Sequence, residues 1–385
     1  VQSRGGRGNR SPQVRADPMH NDNRRCVLLS AGGTGGHLFP AYALAEELGR
    51  RNYLVDLATD MRGDRYGTGF PARKIHQIPS ATLASKSPVA MAQTVWTLSR
   101  GIGAAMGVLG EVRPSVVVGF GGYPTFPPLM AAKLRGIKTA LHEQNAVLGR
   151  ANRMLAARVD AVATSFERVK HLDGALTEKA RFTGNPVRDV VIEAAKRPYW
   201  TPDAAEAVQL LVFGGSQGAR FFSDTVPPAL ELLPPNLKTR LKVVQQAREE
   251  DLERVRQAYG TSGIRAEVAP FFANLPEIMA NSQLVIARAG ASTIAELTVV
   301  GRPSILVPLP HALDNDQLHN ASQLAESGGA WCIEQAELTP QRLAGDLQNL
   351  ISTPALLLEA AKAARAQGKP DAVARLADLV GELAG

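Results

Sequence analysis

Residues 26–40 read Cys26-Val27-Leu28-Leu29-Ser30-Ala31-Gly32-Gly33-Thr34-Gly35-Gly36-His37-Leu38-Phe39-Pro40. A continuously apolar run bounded by glycines predicts a buried parallel strand over 26–31. Beyond the glycines, Ala41, Leu44, Ala45 and Leu48 recur at helical spacing. The same grammar returns later in the chain. Residues 208–213 predict a strand, Gly214-Gly215-Ser216-Gln217-Gly218-Ala219-Arg220 a tight loop, and Ala219 onward a helix. A further cluster, Gly119-Phe120-Gly121-Gly122-Tyr123, closes the apolar stretch 115–119. Glycines at such places let the backbone turn sharply and let a ligand reach helix N-terminal amides, where the dipole favours negative charge. One such loop in each half of the chain predicts two nucleotide-fold domains facing a shared cleft.

Working outward, residues 55–59, 115–119, 138–142 and 161–164 predict further strands, with helical spacing between them over 89–112. After residue 208 the alternation restarts, with strands predicted at 208–213, 242–246, 284–287 and 304–307. Alternating strands and helices mean a parallel sheet covered on both faces. The segment Thr183-Gly184-Asn185-Pro186-Val187-Arg188 has the chemistry of a linker. The alanine- and leucine-rich stretch 356–384 reads as helical. These signals predict an α/β chain with an N-terminal domain over 24–187 and a C-terminal domain over 188–365. A final helix over 366–385 is expected to pack back on the first domain.

The 385 residues suit two domains, and 45% hydrophobic with 21% charged residues is the composition of a globular chain. The formal charge of +7 is uneven. Residues 1–25 hold six arginines against Asp17 and Asp22, a net of +4, leaving only +3 for the rest. Residues 1–23 therefore read as a disordered basic tail, and no nucleic-acid partner is expected. Two cysteines, Cys26 and Cys332, make neither a disulfide framework nor a metal quartet. The N-terminal arginines lack the apolar core of a secretory signal, and no run reaches the roughly 18–20 apolar residues of a membrane span.

In open α/β sheets ligands bind outside the carboxyl ends of the strands, where all three glycine clusters fall. None is a G-x-G-x-x-G fingerprint, and no acidic ribose partner follows Gly36, which argues against a dinucleotide oxidoreductase.

The first loop, 32–40, resembles that of the MurG family, bacterial UDP-GlcNAc transferases acting on lipid-linked MurNAc-pentapeptide. So do His142-Glu143-Gln144-Asn145-Ala146, the 183–188 linker and the 214–220 loop. Arg288-Ala289-Gly290-Ala291-Ser292-Thr293-Ile294-Ala295-Glu296 and Asp316-Gln317 with Asn320-Ala321 extend the match, in order, across residues 26–365. The resemblance implies a GT-B fold, two Rossmann-like doubly wound parallel-sheet domains, with the nucleotide sugar held mainly by the second. It implies an inverting transfer of GlcNAc from UDP-GlcNAc to the C4 hydroxyl of undecaprenyl-diphosphate-MurNAc-pentapeptide, with no cofactor or metal. A UDP-GlcNAc epimerase of the same fold and a non-enzymatic basic binding module are the alternatives.

The leaving group is a diphosphate, so amides around Ser216 and Gln217 at a helix N-terminus would stabilise its growing charge. Arg188 would add a charge-assisted contact; the bland alternative is a hinge ion pair. By resemblance, Glu296 accepts the ribose hydroxyls, the Phe272 backbone reads the uracil edge, and Gln317 contacts the GlcNAc. Ala291, Ser292, Thr293, Ile294, Ala295 and Asn145 join the donor-binding residues, with Thr34, Gly35 and Gly36 from the first loop. Asp316 departs from the family's glutamine or histidine, and Asp314-Asn315-Asp316 mimics a D-x-D metal motif. His37 is the expected general base, its ordinary pKa suiting neutral pH. Glu143 is the second candidate for that role, and His142 and Tyr123 are expected near the acceptor. Residues 73–100 mix Ile75, Ile78, Leu83, Val89, Met91 and Trp96 with Arg73, Lys74, Lys86 and Arg100. Basic residues around an apolar patch suit an anionic membrane surface, here the cytoplasmic side of the inner membrane.

Overall fold

A computed structural model describes residues 24–32, 35–60, 69–81, 87–202, 206–215 and 218–385. In the first domain, β1 (Cys26–Ser30), β2 (Leu54–Thr59), β3 (Lys74–Gln77), β4 (Val116–Gly119), β5 (Lys138–Glu143), β6 (Ala161–Thr164) and β7 (Ala180–Phe182) form one sheet. Its order is β3-β2-β1-β4-β5-β6-β7 and every pairing is parallel. The second domain repeats the plan with β8 (Val208–Phe213), β9 (Leu241–Gln246), β10 (Arg265–Ala269), β11 (Leu284–Ala287), β12 (Ser304–Leu306) and β13 (Ala330–Cys332). Its order is β10-β9-β8-β11-β12-β13, again all parallel.

Each sheet reverses its winding once, between β1 and β4 in the first and between β8 and β11 in the second. That switch point is where doubly wound sheets leave a crevice at their carboxyl ends. The first two glycine clusters follow β1 and β4, and the third follows β8. Arg288-Ala289-Gly290 follows β11. All four turns therefore border a crevice.

Helices cover both faces. Helix Gly35–Arg50 buries Leu38, Ala41, Leu44, Ala45 and Leu48 in the cluster that holds Val27 and Leu29 of β1. The predicted helix over 356–384 is two helices, Pro354–Gln367 and Ala372–Ala384. The break falls at Gly368-Lys369-Pro370: Gly368 turns extended with ψ of 139°, and Pro370 disfavours a helical Lys369. A Cβ on Gly368 would stand 2.6 Å from the Thr298 carbonyl oxygen. The first of the pair buries Leu357 and Ala361 in the second domain. Helix Ala372–Ala384 crosses back and puts Leu376, Ala377, Leu379 and Val380 into the first domain's core. Burying Leu376, Leu379 and Val380 contributes roughly 1.5–3 kcal/mol each. Arg51 adds an ion pair to Asp378 at 2.6 Å and donates to the Ala374 carbonyl.

Helix Pro88–Val112 begins at Ser87, whose hydroxyl accepts from the Ala90 amide at 3.2 Å. It leaves Met91, Val95 and Trp96 exposed, Trp96 at 67%. Ile75 is also exposed, but Ile78 is buried in the first domain's core, so it leaves the predicted apolar patch. Arg73 pairs with Asp56 and Lys74 with Glu111. Leu83 and Lys86 lie outside the described residues, and the Val89 side chain is likewise not described. Among the described residues no helix is long and apolar enough to cross a membrane.

Candidate active site

On the second domain's side, the chain leaves β8 through Gly214 into a turn that ends at helix Arg220–Glu231. A Cβ on Gly214 would meet the Ala219 amide at 2.3 Å, so only glycine fits. Gln246, ending β9, accepts from the Gly214 amide at 3.1 Å and donates to the Pro270 carbonyl. One side chain thus pins the loops after β8 and β10 together. Ser216 and Gln217, the expected diphosphate contacts, lie outside the described residues, as does Thr34 of the first loop.

After β11, Gly290 starts helix Ala291–Val300 without any side-chain cap. The first amides of a helix have no intrahelical acceptor, so those of Ala291, Ser292 and Thr293 present donors and a positive dipole end to the crevice. Arg288 stiffens this turn: it donates to the Val307 and Pro308 carbonyls at 3.1 Å and to Gln335, and lies against Phe221 and Phe222. Glu296 sits two turns on, 8% exposed, its carboxyl pKa raised by burial and held back by Arg188. Arg188 reaches Glu296 Oε1 at 3.3 Å and stacks over the Phe39 ring at 4.6 Å. It therefore links the ribose candidate of one domain to the first helix of the other. Ala291, Ile294 and Ala295 line a different cavity, of about 360 Å³, with Phe182 and Asn185. Phe272 is buried in the second domain's core, so its side chain is structural.

Gln317 accepts from the Ala289 and Leu309 amides through Oε1 at 3.2 and 3.0 Å, which fixes the orientation of its side-chain amide. Asp316 Oδ1 accepts from the Gln317 amide, and Asp314 pairs with Arg153 and Arg150 of the first domain. The D-x-D resemblance thus has a concrete explanation, an interdomain ion pair at Asp314.

On the first domain's side, the ring of His37 is enclosed by glycines. A Cβ on Gly121 would lie 3.2 Å from its Cε1 and one on Gly122 3.5 Å from its Cδ2. Both glycines have positive φ, 89° and 77°. The second cluster is therefore a close-fitting wall for His37, and its proline-rich continuation folds into the turn Tyr123–Thr125 and helix Phe126–Leu134. His37 Nδ1 stands 2.9 Å from Gln144 Oε1. Burial lowers the His37 pKa, opposed by Gln144 and the Phe120 carbonyl, so the ring is neutral at pH 7.

Glu143 is a poor fit to the role of base. Its Oε1 accepts from the Asn145 amide at 2.9 Å, and its Oε2 from the Gly149 amide at 2.9 Å and Asn152 Nδ2 at 2.7 Å. Burial raises its pKa against these donors, and both oxygens are committed to shaping the loop after β5. His142 is fully buried and donates toward the Gly184 carbonyl, which takes it away from any acceptor surface. Asn145 also turns inward: its Oδ1 accepts from Asn320 Nδ2 at 3.1 Å. Asn320, fully buried, accepts from the Ala146 amide and donates to the Ala289 carbonyl. It clasps the loop after β5 to the loop after β11. Gly35, buried, and Gly36, exposed, open the helix that carries His37, and Tyr123 opens the turn after Gly122.

Sequence reasoning passed over Gln144, Asn320 and Arg288. The signal for them was their place inside the matched segments, but their partners lie too far along the chain to be read there.

The N-terminal domain of glycosyltransferase family 28 matches residues 27–164, and its C-terminal domain residues 209–376. A relative from Sinorhizobium fredii is 53% identical over 358 residues, 93% of this chain and 95% of its own. It is named UDP-N-acetylglucosamine–N-acetylmuramyl-(pentapeptide) pyrophosphoryl-undecaprenol N-acetylglucosamine transferase. A crystal structure of MurG from Acinetobacter baumannii superposes with a TM-score of 0.76 at 28% identity, covering 93% of this chain and 99% of that one. The chain belongs to the MurG family. As a MurG-family chain it is a glycosyltransferase with the GT-B fold of two Rossmann-like domains. A UDP-N-acetylglucosamine 2-epimerase from Listeria monocytogenes, at 15% identity and a TM-score of 0.66 over 93% of this chain and 96% of its own, shares the fold alone.

Proposed function

We propose that the chain transfers GlcNAc from UDP-GlcNAc, with inversion, to the C4 hydroxyl of undecaprenyl-diphosphate-linked MurNAc-pentapeptide. The observation that carries this reading is identity of 53% to a transferase of that name across both domains. The acceptor oxygen forms the new bond to the anomeric carbon as the bond to the diphosphate breaks. UDP leaves with the bonding pair, and His37 takes the hydroxyl proton. Amides at the start of helix Ala291–Val300, with the loop after Gly214, hold the diphosphate as its charge grows. Glu296 binds the ribose, Arg188 balances its charge, and Gln317 orients the sugar.

Purified protein given both substrates in EDTA is expected to release UDP with GlcNAc incorporated into lipid. Turnover of UDP-GlcNAc without any acceptor would replace this reading with the epimerase. Glu296→Ala is expected to weaken UDP-GlcNAc binding roughly 10–100-fold, since hydrogen bonds to a charged group contribute about 1.5–3 kcal/mol. Calorimetry showing unchanged affinity would remove Glu296 from the ribose site.

The exposed Met91, Val95 and Trp96 are the proposed contact with the anionic cytoplasmic face of the inner membrane. The double variant Met91→Ser/Trp96→Ser is expected to bind phosphatidylglycerol vesicles at least about tenfold more weakly, given about 1.5–3 kcal/mol per buried large side chain. Unchanged co-sedimentation would place the membrane contact elsewhere.

A further inference from the structure

A chain of buried polar groups runs from the interdomain linker to His37. It begins at the Gly184 carbonyl, 3.2 Å from His142 Nε2. A carbonyl only accepts, so His142 Nε2 carries a hydrogen. The Ser165 hydroxyl oxygen faces the same nitrogen at 3.5 Å. His142 is fully buried, with its pKa pushed down to about 4, so the ring is neutral and its Nδ1 holds a lone pair. Gln144 Nε2 donates to that lone pair at 2.8 Å and to the His142 carbonyl at 2.9 Å. Both amide hydrogens are thereby committed to His142, which fixes the orientation of the amide. Gln144 Oε1 must then face His37 Nδ1, 2.9 Å away, and an amide oxygen also only accepts. His37 Nδ1 carries its hydrogen, and Nε2 is left with the lone pair.

We propose that Gln144 and His142 are positioning residues that fix the His37 tautomer, keeping Nε2 as the basic nitrogen and anchoring it to the Gly184 carbonyl. The surroundings of His37 favour such control. Gly121 and Gly122 stand close against one part of its ring, and the Phe120 carbonyl accepts a hydrogen bond from it. The titratable group that acts on this relay is His142, while the Glu143 carboxylate is turned to Gly149, Asn145 and Asn152. The anchor is rigid for a separate reason. Gly184 has φ of 83°, and a Cβ there would meet Lys369 Cβ at 2.8 Å, so the two interdomain crossings touch at this residue. A base with its hydrogen on the wrong nitrogen cannot take a proton at Nε2, which makes the tautomer part of the chemistry.

This inference rests on His37 being the base, and its test separates the two. Long-range ¹H–¹⁵N correlation spectra of the histidine-labelled full chain report the tautomer of each ring directly. His37→Ala identifies the His37 signal. The wild-type protein is expected to show His37 hydrogenated at Nδ1 and His142 at Nε2. Gln144→Met is expected to release the His37 tautomer and lower kcat on the order of 10²-fold, with the KM for UDP-GlcNAc unchanged. A wild-type His37 hydrogenated at Nε2 overturns the proposal, as does a Gln144→Met enzyme with unaltered tautomer and kcat. A tautomer that responds as expected while kcat does not supports the relay and overturns His37 as the base.

Discussion

Replacing His37 with alanine is expected to lower kcat by roughly 10²–10⁴-fold, the usual contribution of a positioned general base. Affinity for UDP-GlcNAc is expected to stay within about twofold, because the side chains proposed to hold the ribose and the sugar, Glu296 and Gln317, lie on the other domain. The loss should appear equally in kcat and in kcat/KM for the acceptor, the pattern of a group that acts in the transition state. The pH dependence adds a second signature. Burial lowers the His37 pKa from the ordinary 6.5, so the base stays unprotonated below that pH. Wild-type kcat should therefore persist on acidification through pH 6.5 and fall only below it, and the His37→Ala enzyme should lack that limb. Loss of donor affinity in His37→Ala, with kcat preserved at saturating donor, would move His37 into the donor loop.

The second large effect concerns stability. Arg302→Met is expected to destabilise the second domain by about 3–5 kcal/mol, the cost of leaving several buried carbonyls without their donor. Arg302 is 1% exposed. Its Nη1 donates to the Val300 and Gly301 carbonyls, and its Nη2 to those of Arg197, Pro198 and Ala280. Its guanidinium also lies 5.4 Å from the centre of the Tyr199 ring. Burial lowers its pKa to about 10, which still leaves it charged at neutral pH. Methionine fills much of the volume but leaves these carbonyls buried without a donor, each costing about 1–3 kcal/mol where no water reaches. For a domain of this size the midpoint of thermal unfolding should fall by roughly 6–20 °C. Arg302 precedes β12, at the amino ends of the strands and away from the crevice. UDP-GlcNAc affinity measured well below the melting range should therefore be retained. A variant that melts with the wild type would show that the network adds nothing.

The fold was legible where burial is complete and illegible where it is not. Central strands such as β1, β4 and β11 are wholly buried and read as apolar runs, and β8 departs from this only at the half-buried Gln209. The four strands that pattern reading missed are β3, β7, β10 and β13, the edges of the two sheets. An edge strand packs on fewer neighbours, so its residues alternate or are polar, as in Lys74–Gln77 and Arg265–Ala269. The break at Gly368 was legible but passed over: Gly368-Lys369-Pro370 is a helix-stop signal set inside an alanine-rich stretch.

The site divides in the same way. The glycine turns and the Arg288–Glu296 segment were legible because strand, turn and helix lie consecutively. What each side chain does was not. Gln144 meets a partner 107 residues away, and Asn320 meets one 174 residues away. Glu143 and His142 have the residue types of catalysis, and only their saturated hydrogen bonds and burial assign them to the scaffold.

The return of helix Ala372–Ala384 to the first domain makes that domain discontinuous in the chain. No single peptide-bond cut can divide the molecule into two intact halves. A fragment covering 24–187 keeps all seven strands of the first sheet yet exposes the apolar face that Leu376, Leu379 and Val380 cover. A fragment beginning at 188 carries that same helix with nothing to cover. The halves are separable only as a split pair in which the last helix is restored to the domain whose sequence lies farthest from it.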